Sequence, residues 1–250
     1  MSARLASRGP LAAHRSRGPL TTALAAAGAW LLEPAQPAPD PVVATPPAPR
    51  LVIAVFGLAR GCGTTVVARA LAAELASRDP QGAAAVHCEA RAAGIPLATH
   101  AASRLAQQLA EVRGAETRAV GRLCLVGGAD HAALADTARH FAPLVLDAGA
   151  TSLGGVPAAV ADAVVVVAAP TLEPALAGVA SECLTRLGHQ PIVVLNRAAP
   201  DRPDDSWAAH PGQRLPDSRM GAQLALGGRE PRGNLGVAVA ELAARCEGRG

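Results

Sequence analysis

Apolar residues recur along this chain in short unbroken runs rather than in strict alternation with polar ones. Six such runs predict β-strands, at 51–56, 83–88, 122–126, 143–147, 163–169 and 191–196. Segments with helical spacing predict helices at 64–78, 98–112, 130–141, 173–188 and about 235–246. Continuous apolar strands interleaved with helices are typical of a parallel sheet buried on both sides. The pattern therefore predicts a doubly wound, mostly parallel α/β sheet with helices on both faces.

The first fifty residues differ in composition from the rest. Seven of the twenty residues from 31 to 50 are Pro, which is typical of an extended linker. Ahead of them, four arginines precede the apolar run 20–32, which is similar to a signal peptide but has no convincing cleavage site. We expect residues 1–49 to be a disordered Ala/Pro/Arg-rich leader and linker. Residues 50–250 are expected to form the folded domain.

The distribution of charge limits the range of partners. All 23 cationic residues are Arg, and the chain contains no Lys. Five of these arginines and two acidic residues lie in 1–50, whereas 51–250 holds 18 arginines and 18 acidic residues. The net charge of +3 therefore resides in the first fifty residues. Because a nucleic-acid-binding domain normally has a basic surplus, no nucleic-acid partner is predicted.

Cysteine and histidine usage gives no sign of a metal centre. The five cysteines are an odd number, are scattered and are never spaced as C-x-x-C, so they fit neither a disulfide framework nor a zinc site. The seven histidines show no ligand spacing and receive no role. No G-x-S-x-G segment is present, which argues against a hydrolase with a nucleophile elbow. Free thiols are typical of a reducing, cytoplasmic location.

The turn after the first predicted strand is the main candidate for a binding site. It reads Gly-Leu-Ala-Arg-Gly-Cys-Gly-Thr-Thr over 57–65. Ligands of parallel sheets bind at the carboxyl ends of strands, and the N-terminus of the following helix offers free N–H groups to an anion. A threonine hydroxyl at the helix start can also coordinate Mg²⁺. The turn is therefore predicted to bind phosphate through Arg60, Gly61, Cys62, Gly63, Thr64 and Thr65.

Residues 52–76 resemble the start of the MinD/ParA class of P-loop ATPases, whose deviant Walker A motif is roughly G-K-G-G-x-G-K-[ST]. Gly61, Gly63 and Thr65 match this motif, whereas Ala59 and Thr64 stand where the motif has its two lysines. Later segments resemble the same class in the same order. They are the Walker B-like 144–149, the strand 191–198 that ends in Asn-Arg, and the segment 215–228 that borders the base pocket.

This resemblance implies a P-loop NTPase-like fold that binds ATP or ADP with Mg²⁺. It places Thr65 and Asp147 on the metal side, with Asp147 as the one candidate catalytic residue. It places Asn196, Arg197, Pro216 and Asp217 near the base. From the residues alone, Asp147 could instead cap its turn, and Asn196 could simply end its strand. Arg60 could reach a phosphate or remain solvated, and Cys62 could be a packing residue or a redox site.

The missing lysines predict weak or absent ATP hydrolysis. The resemblance then implies a bacterial, cytoplasmic regulatory or localisation factor that acts through a homodimer and a protein partner. One alternative is an active Mg-ATPase in which Arg60 takes the place of the Walker lysine. Another is a Rossmann-type NAD(P)-binding protein in which Glu89 contacts the ribose. The C-terminal segment 234–250 has few basic residues and no aromatic residue, so no direct membrane binding is predicted.

Overall fold

The computed structural model describes residues 50–88, 104–127, 130–150, 153–199, 205–208 and 212–249. The expected leader, residues 1–49, lies outside the described residues, as does Glu89. The described strands are β1 (Val52–Gly57), β2 (Ala83–His87), β3 (Glu116–Val120), β4 (Leu123–Gly127), β5 (Leu144–Gly149), β6 (Ala163–Ala168), β7 (Ile192–Ala198) and β8 (Gln213–Pro216). The described helices are α1 (Thr64–Arg78), α2 (Arg104–Ala110), α3 (His131–Arg139), α4 (Val156–Val160), α5 (Pro174–Arg186), α6 (Asp205–Ala208), α7 (Arg219–Leu226) and α8 (Gly233–Glu247).

The eight described strands form one sheet, in the order β3-β4-β2-β5-β1-β6-β7-β8. β3 runs antiparallel to β4, and the other neighbouring pairs are parallel. The sheet reverses its winding around β1, which lies between β5 and β6. The predicted doubly wound, mostly parallel sheet is confirmed. Its parallel order brings the carboxyl ends of β1, β2, β5 and β7 to one edge, where the candidate site lies.

Side chains alternate between the two faces of the sheet and form two cores. On one face, Ile53 and Val55 of β1 pack in a cluster with residues of α1, α7 and α8. On the other face, Val52 and Phe56 pack in a cluster with residues of α2, α3, α4 and α5. All six residues of β1 are buried. The continuous apolar run therefore reflects two covered faces, as in other parallel sheets.

Helix α1 is the most enclosed helix beside the sheet. Ten of its fifteen residues are buried, because it lies between the sheet, α7 and α8. Arg69 is buried with them, and its Nη1 donates to the carbonyl oxygen of Leu226 at 2.7 Å. Burial lowers the pKa of this guanidinium, and the Asp147 carboxylate partly opposes that shift. Arg69 thus joins the middle of α1 to the end of α7.

The bounds of most predicted elements agree with the structure, and α1 spans the predicted residues 64–78. The strands β3 and β8 and the helices α4, α6 and α7 were not predicted, because their short segments lack a clear apolar period. The predicted helix 98–112 is seen as α2, and its first six positions lie outside the described residues. Within the described ranges, no helix has both the length and the apolar character needed to cross a membrane.

Candidate functional site

The loop between β1 and α1 has a backbone that only glycine adopts readily at two positions. Gly61 has φ of 84° and Gly63 has φ of 87°, in the left-handed region that disfavours side chains. The Leu58 amide donates to the Val167 carbonyl at 2.9 Å, which fixes the start of the loop beside β6. The Cys62 amide donates to the Ala59 carbonyl at 3.3 Å, which closes a turn at the tip. The loop is therefore tightly folded.

Asn196, at the end of β7, holds this loop in place through a hydrogen bond, which we call the brace. Its Nδ2 donates to the Cys62 carbonyl at 2.8 Å, and its side chain is buried. A Cβ placed on Gly63 would lie only 2.2 Å from the same Nδ2. The absence of a side chain at residue 63 therefore allows the brace to form. Sequence analysis predicted a base contact for Asn196 and missed this contact, because 134 residues separate the two partners.

The N-terminus of α1 has no side-chain cap. Its N-cap residue is Gly63, whereas Asp130 caps α3 and Ser218 caps α7 through side-chain hydrogen bonds. The first N–H groups of a helix have no partner within the helix and carry partial positive charge. At α1 these groups therefore receive no bond from a capping side chain.

Thr64, which the sequence resemblance aligns with the Walker lysine, is buried rather than extended towards solvent. Its side chain packs beside Gly57, where an added Cβ would lie 2.2 Å from Thr64 Oγ1. Thr65 is half-buried, and its hydroxyl makes no hydrogen bond within the described residues. Arg60 is exposed at the loop tip and forms no ion pair with any described residue. Arg60 is thus the cation that this loop presents to solvent.

Asp147, at the carboxyl end of β5, is 2% exposed and already has two partners in the chain. Its Oδ2 lies 2.9 Å from Nδ1 of His87, which donates to it. Its Oδ1 accepts from the Gly149 amide at 3.3 Å. Residues 87 and 147 face each other in the parallel pairing of β2 with β5. Sequence analysis gave His87 no role, and its place directly after an apolar strand was the available signal.

Cys88 follows His87 but offers no thiolate to the site. Burial raises the pKa of its thiol to about 12, and the nearby Asp147 carboxylate adds to that shift. The thiol is therefore protonated at neutral pH. The described residues contain no cluster of three or more His, Cys, Asp or Glu able to hold a metal ion.

A divalent cation finds few donors here. Mg²⁺ is usually held by one or two carboxylates together with substrate phosphates. Of the two predicted metal residues, Asp147 has both carboxylate oxygens engaged by its own chain, and Thr65 offers a single hydroxyl. The residues present do not fit the magnesium site that the sequence predicted.

The four residues predicted near the base are brought together. Asn196, Arg197, Pro216 and Asp217 line a small cavity of about 40 Å³. Arg197 is exposed and has φ of 60°, at the point within β7 where its pairing with β8 shifts in register. Ligand pockets typically measure roughly 300–1,000 Å³. This notch can border a base, but it cannot enclose one.

Two buried residues at the site, Cys62 and Trp207, pack in apolar clusters. Cys62 is buried in the cluster on the α1 face. Trp207, in α6, is buried in a third cluster with Ala168 and Leu195, against which the half-buried loop residue Leu58 packs. The Trp207 indole Nε1 donates to the Leu172 carbonyl at 3.1 Å. The loop therefore rests on apolar side chains at two points.

Solved structures similar to this one include ParA-family and MinD proteins. A ParA-family ATPase from Chlorobium tepidum is similar, with TM-score 0.54 and 17% identity over 79% of this chain and 98% of that one. MinD in its MinC complex from Aquifex aeolicus gives 0.53 and 15%, over 80% and 97%. An ATP complex of a McdA variant from Cyanothece gives 0.57 and 12%, over 81% and 98%.

At these identities the similarity establishes a shared fold. The class defined by the fold is thus the MinD/ParA-like P-loop NTPase architecture, as the sequence predicted. No family model matches the chain, and a search of curated proteins finds no match either.

Proposed function

We propose that this protein binds an adenine nucleotide, ATP or ADP, at the loop between β1 and α1. The observation that carries the proposal is the loop itself, with Gly61 and Gly63 in left-handed conformations before a helix that has no side-chain cap. Such a helix start offers N–H groups to a phosphate. The likeness to the McdA–ATP complex supports an adenine nucleotide as the ligand.

Hydrolysis is proposed to be weak or absent. Phosphoryl transfer depends on positioned positive charge, to which the P-loop lysine normally contributes. Here Thr64 stands in that position, buried beside Gly57, and no lysine exists elsewhere in the chain. By analogy with the loss of a single transition-state donor, we expect a rate lower by about 10²–10³-fold. The bound nucleotide would then regulate the protein, and its hydrolysis would not supply energy.

The proposed cellular role is regulation or localisation through a homodimer and a protein partner. The MinD structure in complex with MinC supports a partner-based role for this fold. Helix α5 and its C-cap residue carry an exposed apolar surface that fits such a role, since Leu176, Val179 and Leu187 are 47%, 66% and 50% exposed. Exposed apolar residues grouped on one helix often mark protein contacts.

An active ATPase that uses Arg60 is the second candidate. Arg60 is exposed at the tip of the loop and unpaired within the described residues, so its guanidinium is free to reach a phosphate. A guanidinium can bind phosphate with two parallel hydrogen bonds. This candidate requires measurable turnover that Arg60→Ala abolishes.

Calorimetric titration of the full chain with ATP and with ADP tests the binding proposal. We expect micromolar affinity, weakened about tenfold by Arg60→Ala because one charge-assisted contact is lost. Arg229→Ala is the matched control, since Arg229 is also exposed but lies beyond α7. Absence of binding at millimolar nucleotide would overturn the proposal. Release of phosphate from ATP, measured with the same proteins, separates the two candidates.

A further inference from the structure

We propose that this site binds its nucleotide as the metal-free anion, because His87 holds the carboxylate that Mg²⁺ would otherwise use. This inference rests on the proposed nucleotide binding and concerns the same site. In it His87 is a positioning residue that acts through Asp147 and does not itself touch the nucleotide.

The sheet itself sets the geometry of this pair. β2 and β5 are neighbours, and their register places residue 87 opposite residue 147. The 2.9 Å contact from His87 Nδ1 to Asp147 Oδ2 therefore joins the ends of two paired strands. With Oδ1 bonded to the Gly149 amide, both oxygens of this buried carboxylate accept hydrogen bonds from the chain. A buried carboxylate satisfied in this way is in a stable arrangement.

Recruiting Asp147 to a metal would disturb this arrangement. Mg²⁺ demands near-octahedral oxygen ligands and gives up its water reluctantly. A direct bond from Asp147 Oδ2 to the ion would compete with the hydrogen bond that this oxygen accepts from His87 Nδ1. Losing a hydrogen bond at a buried polar group is costly. Thr65 alone does not compensate, because one neutral hydroxyl is a weak anchor for a divalent ion.

Charge neutralisation falls instead to the chain. The positive groups around the loop include the backbone N–H groups at the start of α1, the exposed guanidinium of Arg60 and, beside Asn196, that of Arg197. Together they can neutralise part of a phosphate charge without a metal. A Mg-free nucleotide keeps more negative charge than its magnesium complex, so it gains more from such a contact. The site therefore favours the free nucleotide at least as much as the complexed one.

The test compares ATP titrations of the full chain in millimolar Mg²⁺ and in excess chelator. We expect dissociation constants that agree within about twofold, a difference well under 1.4 kcal/mol. Tightening by about tenfold or more in Mg²⁺ would overturn this inference and leave the proposed function intact. Absence of ATP binding in both conditions would overturn the proposed function, and this inference with it.

Variants of His87 show whether this residue is the cause. In His87→Ala, Asp147 loses its partner, and we expect ATP binding to become about tenfold tighter in Mg²⁺. His87→Gln keeps an N–H donor and should stay indifferent to Mg²⁺, which a merely structural role would not predict. His140→Ala, at an exposed histidine, is the matched control. Equal behaviour of the Ala and Gln variants would contradict the role assigned to His87.

A metal titration without nucleotide keeps the inference testable if the variants fail to fold. Mn²⁺ is the probe, and electron paramagnetic resonance reports its free concentration. We expect the wild-type protein to bind no Mn²⁺ at this site at submillimolar concentration. Stoichiometric binding that Asp147→Asn abolishes would show that the carboxylate is open to a metal and would overturn the inference.

Discussion

The two ends of helix α1 differ in what they offer a ligand. At its N-terminus the chain folds tightly, with Gly61 and Gly63 in left-handed conformations and Asn196 bonded across to the loop. Near its other end lies an open groove of about 810 Å³, between α1, α7 and the β3–β4 turn. Exposed arginines line this groove, namely Arg122, Arg229 and Arg232, and Glu230 is the one acidic residue among its lining.

The two ends of α1 differ in backbone conformation and in the arginines that they expose. The N-terminal end has the backbone form of a phosphate site and presents two exposed arginines, Arg60 at the loop tip and Arg197 beside the notch. The groove has three arginines that form no ion pair within the described residues, and it does not lie at a loop between a parallel strand and the start of the next helix. Substitutions at the loop end should therefore lower the free energy of unfolding, whereas substitutions at the groove end should have little effect on it. Substitutions at each end can test this difference.

The largest effect is expected from a single methyl group in the loop. Gly61→Ala and Gly63→Ala impose the same left-handed strain, of about 1–2 kcal/mol. Only the Cβ at residue 63 meets another atom, Asn196 Nδ2 at 2.2 Å, whereas residue 61 has nothing within 4 Å. We expect Gly63→Ala to lower the free energy of unfolding by about 2 kcal/mol more than Gly61→Ala, in urea denaturation. Equal losses in the free energy of unfolding would mean that the Asn196 side chain can move aside without a measurable loss of stability.

A smaller effect is expected from removing the brace itself. Asn196→Ala deletes the Nδ2–H donor to the Cys62 carbonyl and leaves that buried acceptor unpaired. We expect a loss of about 1–3 kcal/mol in the free energy of unfolding, together with weaker nucleotide binding. Asn234→Ala, at an exposed position early in α8, is the control. A neutral result at residue 196 would show that the loop keeps its form without this contact.

The smallest effect is expected at the groove. Arg229→Ala removes one exposed and unpaired charge, and such changes usually stay within about 0.5 kcal/mol. We expect no measurable change in unfolding by urea and no change in ATP affinity. A destabilisation comparable to that of Asn196→Ala would show that the groove end is as tightly organised as the loop end. The contrast between the two ends would then fail.

The local pattern of apolar and polar residues was sufficient to predict most of the fold. β1, β5 and β6 are buried throughout, so continuous apolar runs identified them, and α1 ends where Arg78 and Asp79 replace its run of small apolar residues. β3 and β8 are strands because they pair with β4 and β7. Their own residues show no pattern that predicts this pairing.

The site was harder to predict than the fold. The glycines and threonines of the loop stood in sequence order and were found. The contacts of Asn196 with Cys62 and of His87 with Asp147 join residues 134 and 60 positions apart. Such contacts depend on strand order and register, which a single sequence does not specify. The contact of Asp147 with His87 could therefore not be predicted.

The buried indole under the loop gives the protein an optical property. The chain has no Tyr and only two Trp, so its near-ultraviolet emission comes from very few groups. Trp207 is 3% exposed and shares its cluster with Leu58, the first residue of the loop. A movement of that loop would change the polarity around the indole. Intrinsic fluorescence therefore offers a test of the proposed nucleotide binding that needs no attached dye.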